Sequence, residues 1–450
     1  MLAAGKSRQG AGGAGLGRAG DRQIAADRSG VAGHSGRTTY ASTVFCSPHR
    51  QDSALYPVIT QIDHAAGFAR GDTPEEKLGK LKKLLTPAAP GDYEMALLAE
   101  LMSLPNAAAE VNLSPQRKRE TLFEALLQQL EALSRDRPIL MVFEDAHWID
   151  PTSRELLDLT IDRVRRMPVL LLVTFRPEFQ QAWGGQPHVT VVALNRLGER
   201  NVAVMVRELS GNAPLGSEIV EEIVERTDGV PLFIEELTKA VLERAVQDNR
   251  VAAVLSASPL PALAVPSTLH ASLIARLDRI GAAAKEVAQI GAILGREFSY
   301  ELIEPVAQRH GAELQAELAQ LTEAGLLFCR GAPPHASYLF KHALVQDAAY
   351  GTLLRTRRHE LHARVASTLE QYFADLVERQ PELLAHHSTA GDTERAVGQW
   401  LKAGQHAAAR LTYREAIAHL ERGLAVLRSL PEGPNREGRE IDLQLALAGR

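Results

Sequence analysis

Cysteine is nearly missing from this sequence: Cys46 and Cys329 are the only two in 450 residues. They lie far apart without metal-ligand spacing, which argues against a disulfide framework or a zinc site and fits a reducing cytoplasm. Long hydrophobic runs are missing too. The apolar stretch Val169–Val173 falls far below the roughly 20 residues needed to cross a bilayer, and Arg166 and Arg176 bracket it. It reads as a core strand, and no membrane is expected as a partner. The first residues show no continuous apolar segment of the secretory type. No excess of one charge appears either. Lys and Arg number 50 against 55 Asp and Glu, for a net charge of -5, so nothing general attracts the chain to nucleic acid. What is present is 45% hydrophobic residues, enough to bury cores in two to four domains.

Residues 9 to 39 are dominated by Gly, Ala, Arg and Ser, a composition that cannot offset the entropy of ordering a core. Folded sequence is expected from Phe45 onward, with a helical pattern through Leu78, Leu81, Leu84 and Leu85. Leu122, Ala125, Leu126, Leu130 and Leu133 recur at helical spacing and stop before Asp136-Arg137-Pro138. Ile139 to Phe143 is a continuous apolar run, as in a parallel strand covered on both faces. Asp150-Pro151 then reads as an N-cap with proline at the first helical position. After that helix, Val169 to Phe175 makes a second buried strand, and Val189 to Ala193 is expected to complete the sheet. Strand, helix, strand with short connections is a parallel α/β unit, whose ligands sit at the carboxyl ends of the strands. Glu144 and Asp145 occupy one such end, with Thr174 and Arg176 beside it.

Paired acids at a strand end have a use in phosphoryl transfer, one carboxylate holding Mg²⁺ and its neighbour orienting water. The same pair also occurs as a plain solvated strand terminus. His49 and His147 have no third ligand at useful spacing and read as structural. Trp148 reads as a packing residue against the following helix.

Phe143-Glu144-Asp145-Ala146-His147-Trp148-Ile149-Asp150 resembles the Walker B segment of STAND ATPases, the AAA+-like signal-transduction ATPases with numerous domains. Thr174-Phe175-Arg176-Pro177-Glu178 is similar to their next strand, and Asp228-Gly229-Val230-Pro231-Leu232-Phe233 to their Gly-x-Pro motif. Phe340 to Gln346 resembles a segment of their winged-helix region. The likeness covers residues 45 to 450 and is nearest to bacterial regulatory ATPases, many of which follow a class III nucleotide cyclase domain and precede tetratricopeptide repeats. It implies ATP and Mg²⁺ as cofactors, with Glu144 and Asp145 handling metal and water and Arg176 sensing the γ-phosphate. Gly229 and Pro231 would lie against the adenine, although a proline there also simply starts a helix.

The phosphate loop fits only in part. Gly5-Lys6-Ser7-Arg8 matches the end of a Walker A motif, in which Lys6 and Ser7 would reach phosphate and Mg²⁺. Its first glycine would fall before Met1, and Gln9 to Gly20 is too glycine-rich for the helix that should follow. Two explanations stand: a degenerate loop, or a truncated and shifted reading frame that rejoins the pattern near Phe45, which is favoured.

The fold class expected is an α/β P-loop NTPase core, a parallel sheet incomplete at its N-terminus, followed by mostly α-helical lid, winged-helix-like and TPR-like regions. The segments are 1–44 with the loop remnant, 45–215 for the core, 216–265 for lid and linker, 266–358 for the winged-helix-like module and 359–450 for helical repeats. Leu326–Phe328 with Tyr338–Phe340 should form a hairpin, and Trp400, Gly404, Ala416 and Leu420 have tetratricopeptide spacing. The function expected is a nucleotide-dependent regulatory switch with impaired ATP binding, meeting a protein partner through its helical repeats and compatible with homo-oligomer formation. A non-catalytic helical-repeat scaffold is the alternative. A DNA-binding regulator ranks last, since no recognition helix with a basic stripe is evident.

Overall fold

The computed structural model describes residues 31–32, 38–47, 50–69, 71–104, 113–211, 215–247, 268–309, 311–410 and 412–448. Gly5, Lys6, Ser7 and His49, and the linker expected at 251–266, lie outside them.

Two strands open the described chain, β1 (Val31–Ala32) and β2 (Thr38–Phe45). β2 runs parallel to β3 (Ile139–Glu144), with Tyr40 opposite Ile139 and Phe45 opposite Glu144. β3 is in turn parallel to β4 (Val169–Val173), and the sheet order is β1-β2-β3-β4, with β1 antiparallel on β2. Ordered structure therefore begins ahead of the expected Phe45. The reason is β2's one-sided burial: Ser42, Val44 and Cys46 face inward, and a small polar residue at the first of these positions masks the period-2 signal.

Between β2 and β3 lie α1 (Tyr56–Ala66), α2 (Pro74–Leu85), α3 (Asp92–Leu101) and α4 (Pro115–Asp136). α2 starts on a capping box, Thr73 accepting from the Glu76 amide while Glu76 accepts from the Thr73 amide, so two orphan donors are satisfied at once. Its Leu81 and Leu85 are buried with Leu98, Met102, Phe123 and Leu127 in one cluster, each contributing about 1.5–3 kcal/mol. α5 (Pro151–Val164) follows β3. Its Leu157 and Ile161 pack on Val44, Phe143 and Leu171 from the three parallel strands. The expected strand at Val189–Ala193 does not form. Val191 and Val192 stand 56% and 49% exposed, because an apolar run with no strand beside it leaves its amides to water.

The chain folds as two compact units. The first takes the described parts of Ala26–Val191 with His359–Arg450, and the second takes Val192–Arg358. In the second unit α6 (Glu199–Leu209), α7 (Ser217–Thr227) and α8 (Pro231–Gln247) bury Val202, Val206, Ile223, Ile234 and Leu237 together. α6 thus packs with α7 and α8. There follow α9 (Leu269–Ile280), α10 (Ala282–Leu294), β5 (Glu297–Ser299), α11 (Tyr300–Ala307), α12 (Ala312–Glu323), β6 (Leu327–Arg330), β7 (Ser337–Phe340) and α13 (Ala343–Gly351). The expected hairpin is present, Leu327 opposite Phe340, and β5 adds a third strand on the far side of β7.

The remaining chain is helical, as expected after His359: α14 (Arg355–Tyr372), α15 (Ala374–Arg379), α16 (Pro381–Gly391), α17 (Thr393–Ala409), α18 (Tyr413–Leu427) and α19 (Pro434–Ala448). Small residues set the helix spacing. A Cβ on Gly404 would meet the Leu420 side chain at 2.6 Å and the Ala416 carbonyl at 3.3 Å, so α17 and α18 touch backbone to side chain. Three of the four residues with tetratricopeptide spacing, Gly404, Ala416 and Leu420, thus meet where α17 and α18 approach each other. Within the first unit these helices hold the turn after β2. Arg50 donates to Gln380 at 2.8 Å, Ser53 to Glu382 at 2.7 Å, and Arg422 pairs with Asp52 at 2.5 Å. Among the described residues no helix is long and apolar enough to cross a membrane.

Candidate functional site

The carboxyl ends of β2, β3 and β4 meet at Glu144. Register places Phe143 opposite Val173, so Thr174 falls beside Glu144. Its hydroxyl donates to Glu144 Oε2 at 2.8 Å and accepts from the Asp145 amide at 3.0 Å. The Thr174 carbonyl also accepts from the Ala146 amide at 2.8 Å. Asp145 itself leaves the strand with φ of 58°, a left-handed conformation that Asp tolerates better than most residues. The chain then turns through a short 3₁₀ segment, Ala146–Trp148, into the N-cap Asp150. Glu144 and Asp145, adjacent in sequence, are therefore fixed at the sheet end by one threonine.

Arg176 is exposed just beyond Thr174, its guanidinium 5.9 Å from the centre of the Trp148 ring. An aromatic cluster holds this segment. Phe175 lies 5.4 Å from Phe179, and Phe179 lies 5.9 Å from Trp183, whose indole donates to Asp158 on α5 at 2.6 Å. Trp148 packs against the cluster that contains Leu157 and Ile161, the packing role expected of it. The His147 ring centre lies 4.9 Å from that of Trp148, with the rings tilted 45° to each other. Burial first, then Arg176, lowers its pKa against the opposing pull of Asp145, so the ring is neutral near pH 7. Among the described residues no group of three His, Cys, Asp or Glu is arranged to hold a metal.

Asp150 caps α5, accepting from the Ser153 amide at 2.8 Å, and the same oxygen accepts from the Leu55 amide at 3.2 Å. Burial raises its carboxyl pKa to about 7, with Glu415 pushing the same way against the hydrogen bonds from Ser153 and Leu55. Burial also drives the Cys46 thiol upward, with Asp150 and Asp145 adding to it, and keeps it protonated.

Gly229 and Pro231 belong to the second unit. Gly229 has φ of 69°, and a Cβ there would sit 2.2 Å from the Leu197 carbonyl oxygen. The Leu197 amide donates to the Gly229 carbonyl at 2.8 Å. Pro231 is the first residue of α8, the helix-start position that suits proline. Both residues thus have a structural reason to be what they are. Thr174 was the participant least visible in the sequence, because only the β3–β4 register shows that its hydroxyl reaches Glu144.

Residues 29–173 match the AAA ATPase domain family. The chain is 28% identical over 400 residues to an uncharacterized protein of Rhizobium meliloti (strain 1021), across 88% of this chain and 38% of that protein. It thus spans about two fifths of that relative's length. Among solved structures, a Signal Transduction ATPase with Numerous Domains (STAND) protein with a tetratricopeptide repeat sensor, from Pyrococcus horikoshii, superposes with a TM-score of 0.42 at 11% identity. The superposition covers 91% of this chain and 62% of that one.

Proposed function

We propose that the chain is a nucleotide-dependent regulatory switch of the STAND ATPase type, with Glu144, Asp145 and Arg176 at its nucleotide site. The observation that carries this reading is the Thr174 hydroxyl holding Glu144 and Asp145 together at the end of three parallel strands. Two carboxylates there offer the hard oxygen donors that Mg²⁺ takes, so the residues present fit the metal. Mg²⁺ bound with ATP would neutralise the phosphate charge. Glu144 would supply a ligand oxygen, Asp145 would orient water, and the exposed Arg176 would face the γ-phosphate. Lys6 and Ser7 would bind phosphate and metal, and Gly229 and Pro231 would contact the adenine. The sequence after Ser7 is glycine-rich and a poor helix former, so affinity for Mg-ATP should be weak.

In this reading Val192–Arg358 supplies the lid and a winged-helix-like module, while α16 to α19 form tetratricopeptide-like hairpins that meet a protein partner. The test is a titration of the full chain with a fluorescent ATP analogue and Mg²⁺, alongside Lys6→Ala and Glu144→Gln. Weak Mg-dependent binding that both substitutions reduce is the expected result. Absence of Mg-dependent binding in the unsubstituted chain would overturn the switch and favour a scaffold built on the helical hairpins.

A further inference from the structure

Two carboxylates from distant parts of the first unit converge on one helix start. Asp150 Oδ1 accepts from the Ser153 and Leu55 amides, and Glu415 on α18 accepts through Oε1 from the Thr152 amide at 3.0 Å and the Thr152 hydroxyl at 2.7 Å. Each acid is 1% exposed. Their remaining oxygens, Asp150 Oδ2 and Glu415 Oε2, are buried with no hydrogen-bond partner. A helix N-terminus favours one anion, but two ionised carboxylates in one desolvated site repel each other.

We propose that the buried Asp150 carboxyl keeps its proton beside the Glu415 carboxylate, and that this proton lets α18 seat on the start of α5. Loss of the proton to solvent leaves two buried charges and two unpaired oxygens, and the C-terminal helices disengage from the segment that follows Glu144 and Asp145. The consequence for those two acids rests on the nucleotide-site reading; the proton on Asp150 does not.

The direction follows from burial, which places the Asp150 carboxyl at about 7 in the seated state. The seated state keeps a proton that the released state gives up above about pH 4, so seating weakens about tenfold per pH unit from about 4 to 7 and then levels off. Other ionisable groups line the same region. Asp52 is paired with Arg422, the half-buried Glu382 accepts from Ser53, and Arg410 donates to Ser103. Cys46 stays protonated. His419, one turn along α18, and His406 on α17 are pushed by burial to about 4. Their slope has the opposite sign below about pH 6.5, so the pair is isolated only by comparing variants.

The experiment uses the full chain without nucleotide. Infrared spectra at pH 6 and 8.5 report a protonated carboxyl, and hydrogen exchange at Thr152 and Ser153, corrected for intrinsic rates, reports seating. The expected result is a protonated-carboxyl band at pH 6 that Asp150→Asn or Glu415→Gln removes, with protection in the unsubstituted chain at least tenfold lower at pH 8.5. In both variants an amide can donate to the facing carboxylate, and protection should be unchanged between the two pH values. Glu437→Gln, at an exposed position on α19, should behave as the parent. A missing band, or a parent-like pH response in both variants, overturns the proposal. Failed Mg-ATP binding with this pH response intact would remove the nucleotide reading and leave the Asp150 proton standing.

Discussion

Thr174 donates its hydroxyl to Glu144 Oε2 across 2.8 Å, joining the ends of two parallel strands. Thr174→Val keeps the β-branched shape and removes the hydroxyl, so the Glu144 carboxylate loses a donor and the Asp145 amide an acceptor. Because the pair is exposed, stability should fall by no more than about 1 kcal/mol in a urea titration. Mg-dependent binding of the ATP analogue should weaken about tenfold, the equivalent of about 1.4 kcal/mol. Equal losses in Thr174→Val and Thr174→Ser would show that the hydroxyl is not the working group.

Gly229 and Gly211 share a left-handed backbone, with φ of 69° and 67°, yet differ in what surrounds them. A Cβ on Gly229 meets the Leu197 backbone at 2.2 Å, whereas one on Gly211 meets nothing within 4 Å. Gly211→Ala should therefore cost only the conformational penalty, about 1–2 kcal/mol. Gly229→Ala should add about 1–3 kcal/mol for the clash and speed amide exchange through α6 to α8. Equal denaturation midpoints for the two variants would contradict the crowding at Gly229.

Glu235 sets the acid limit of the second unit. Burial alone would raise its pKa, but Lys239 at 2.5 Å and Lys341 at 3.0 Å outweigh burial and bring it down to about 2. A depressed carboxylate stabilises the fold above its unfolded pKa, and that contribution disappears as pH falls from about 4.5 to 2. It amounts to at most about 3 kcal/mol. Glu235→Gln should lower stability at pH 7 and flatten the acid limb in that window, read by chemical denaturation at several pH values. An unchanged limb would mean that the two lysines do not act through this group.

Much of the architecture could be read from local pattern. Ile139–Phe143 announced a strand buried on both faces, Asp150-Pro151 announced the start of α5, and the leucines from Leu122 to Leu133 announced α4. Each of these signals lies within one element, where periodicity and capping chemistry act. Thr38–Phe45 escaped because its inward face carries Ser42, and Val189–Ala193 misled because apolar content does not supply a neighbouring strand. At the candidate site the acids were legible and their clamp was not, since Thr174 meets Glu144 through strand register. Glu415 was out of reach altogether. Nothing near it in sequence hints that α18 caps a helix beginning at Pro151.

One atom carries more of the architecture than its size suggests. Asp150 Oδ1 accepts from both Leu55 and Ser153, so the turn leaving β2 and the first turn of α5 share a pivot. A substitution that shifts either segment is felt by the other through that oxygen, and double substitutions at Leu55 and Ser153 should combine non-additively. The two stretches of chain, separated by four helices, behave mechanically as a single lever.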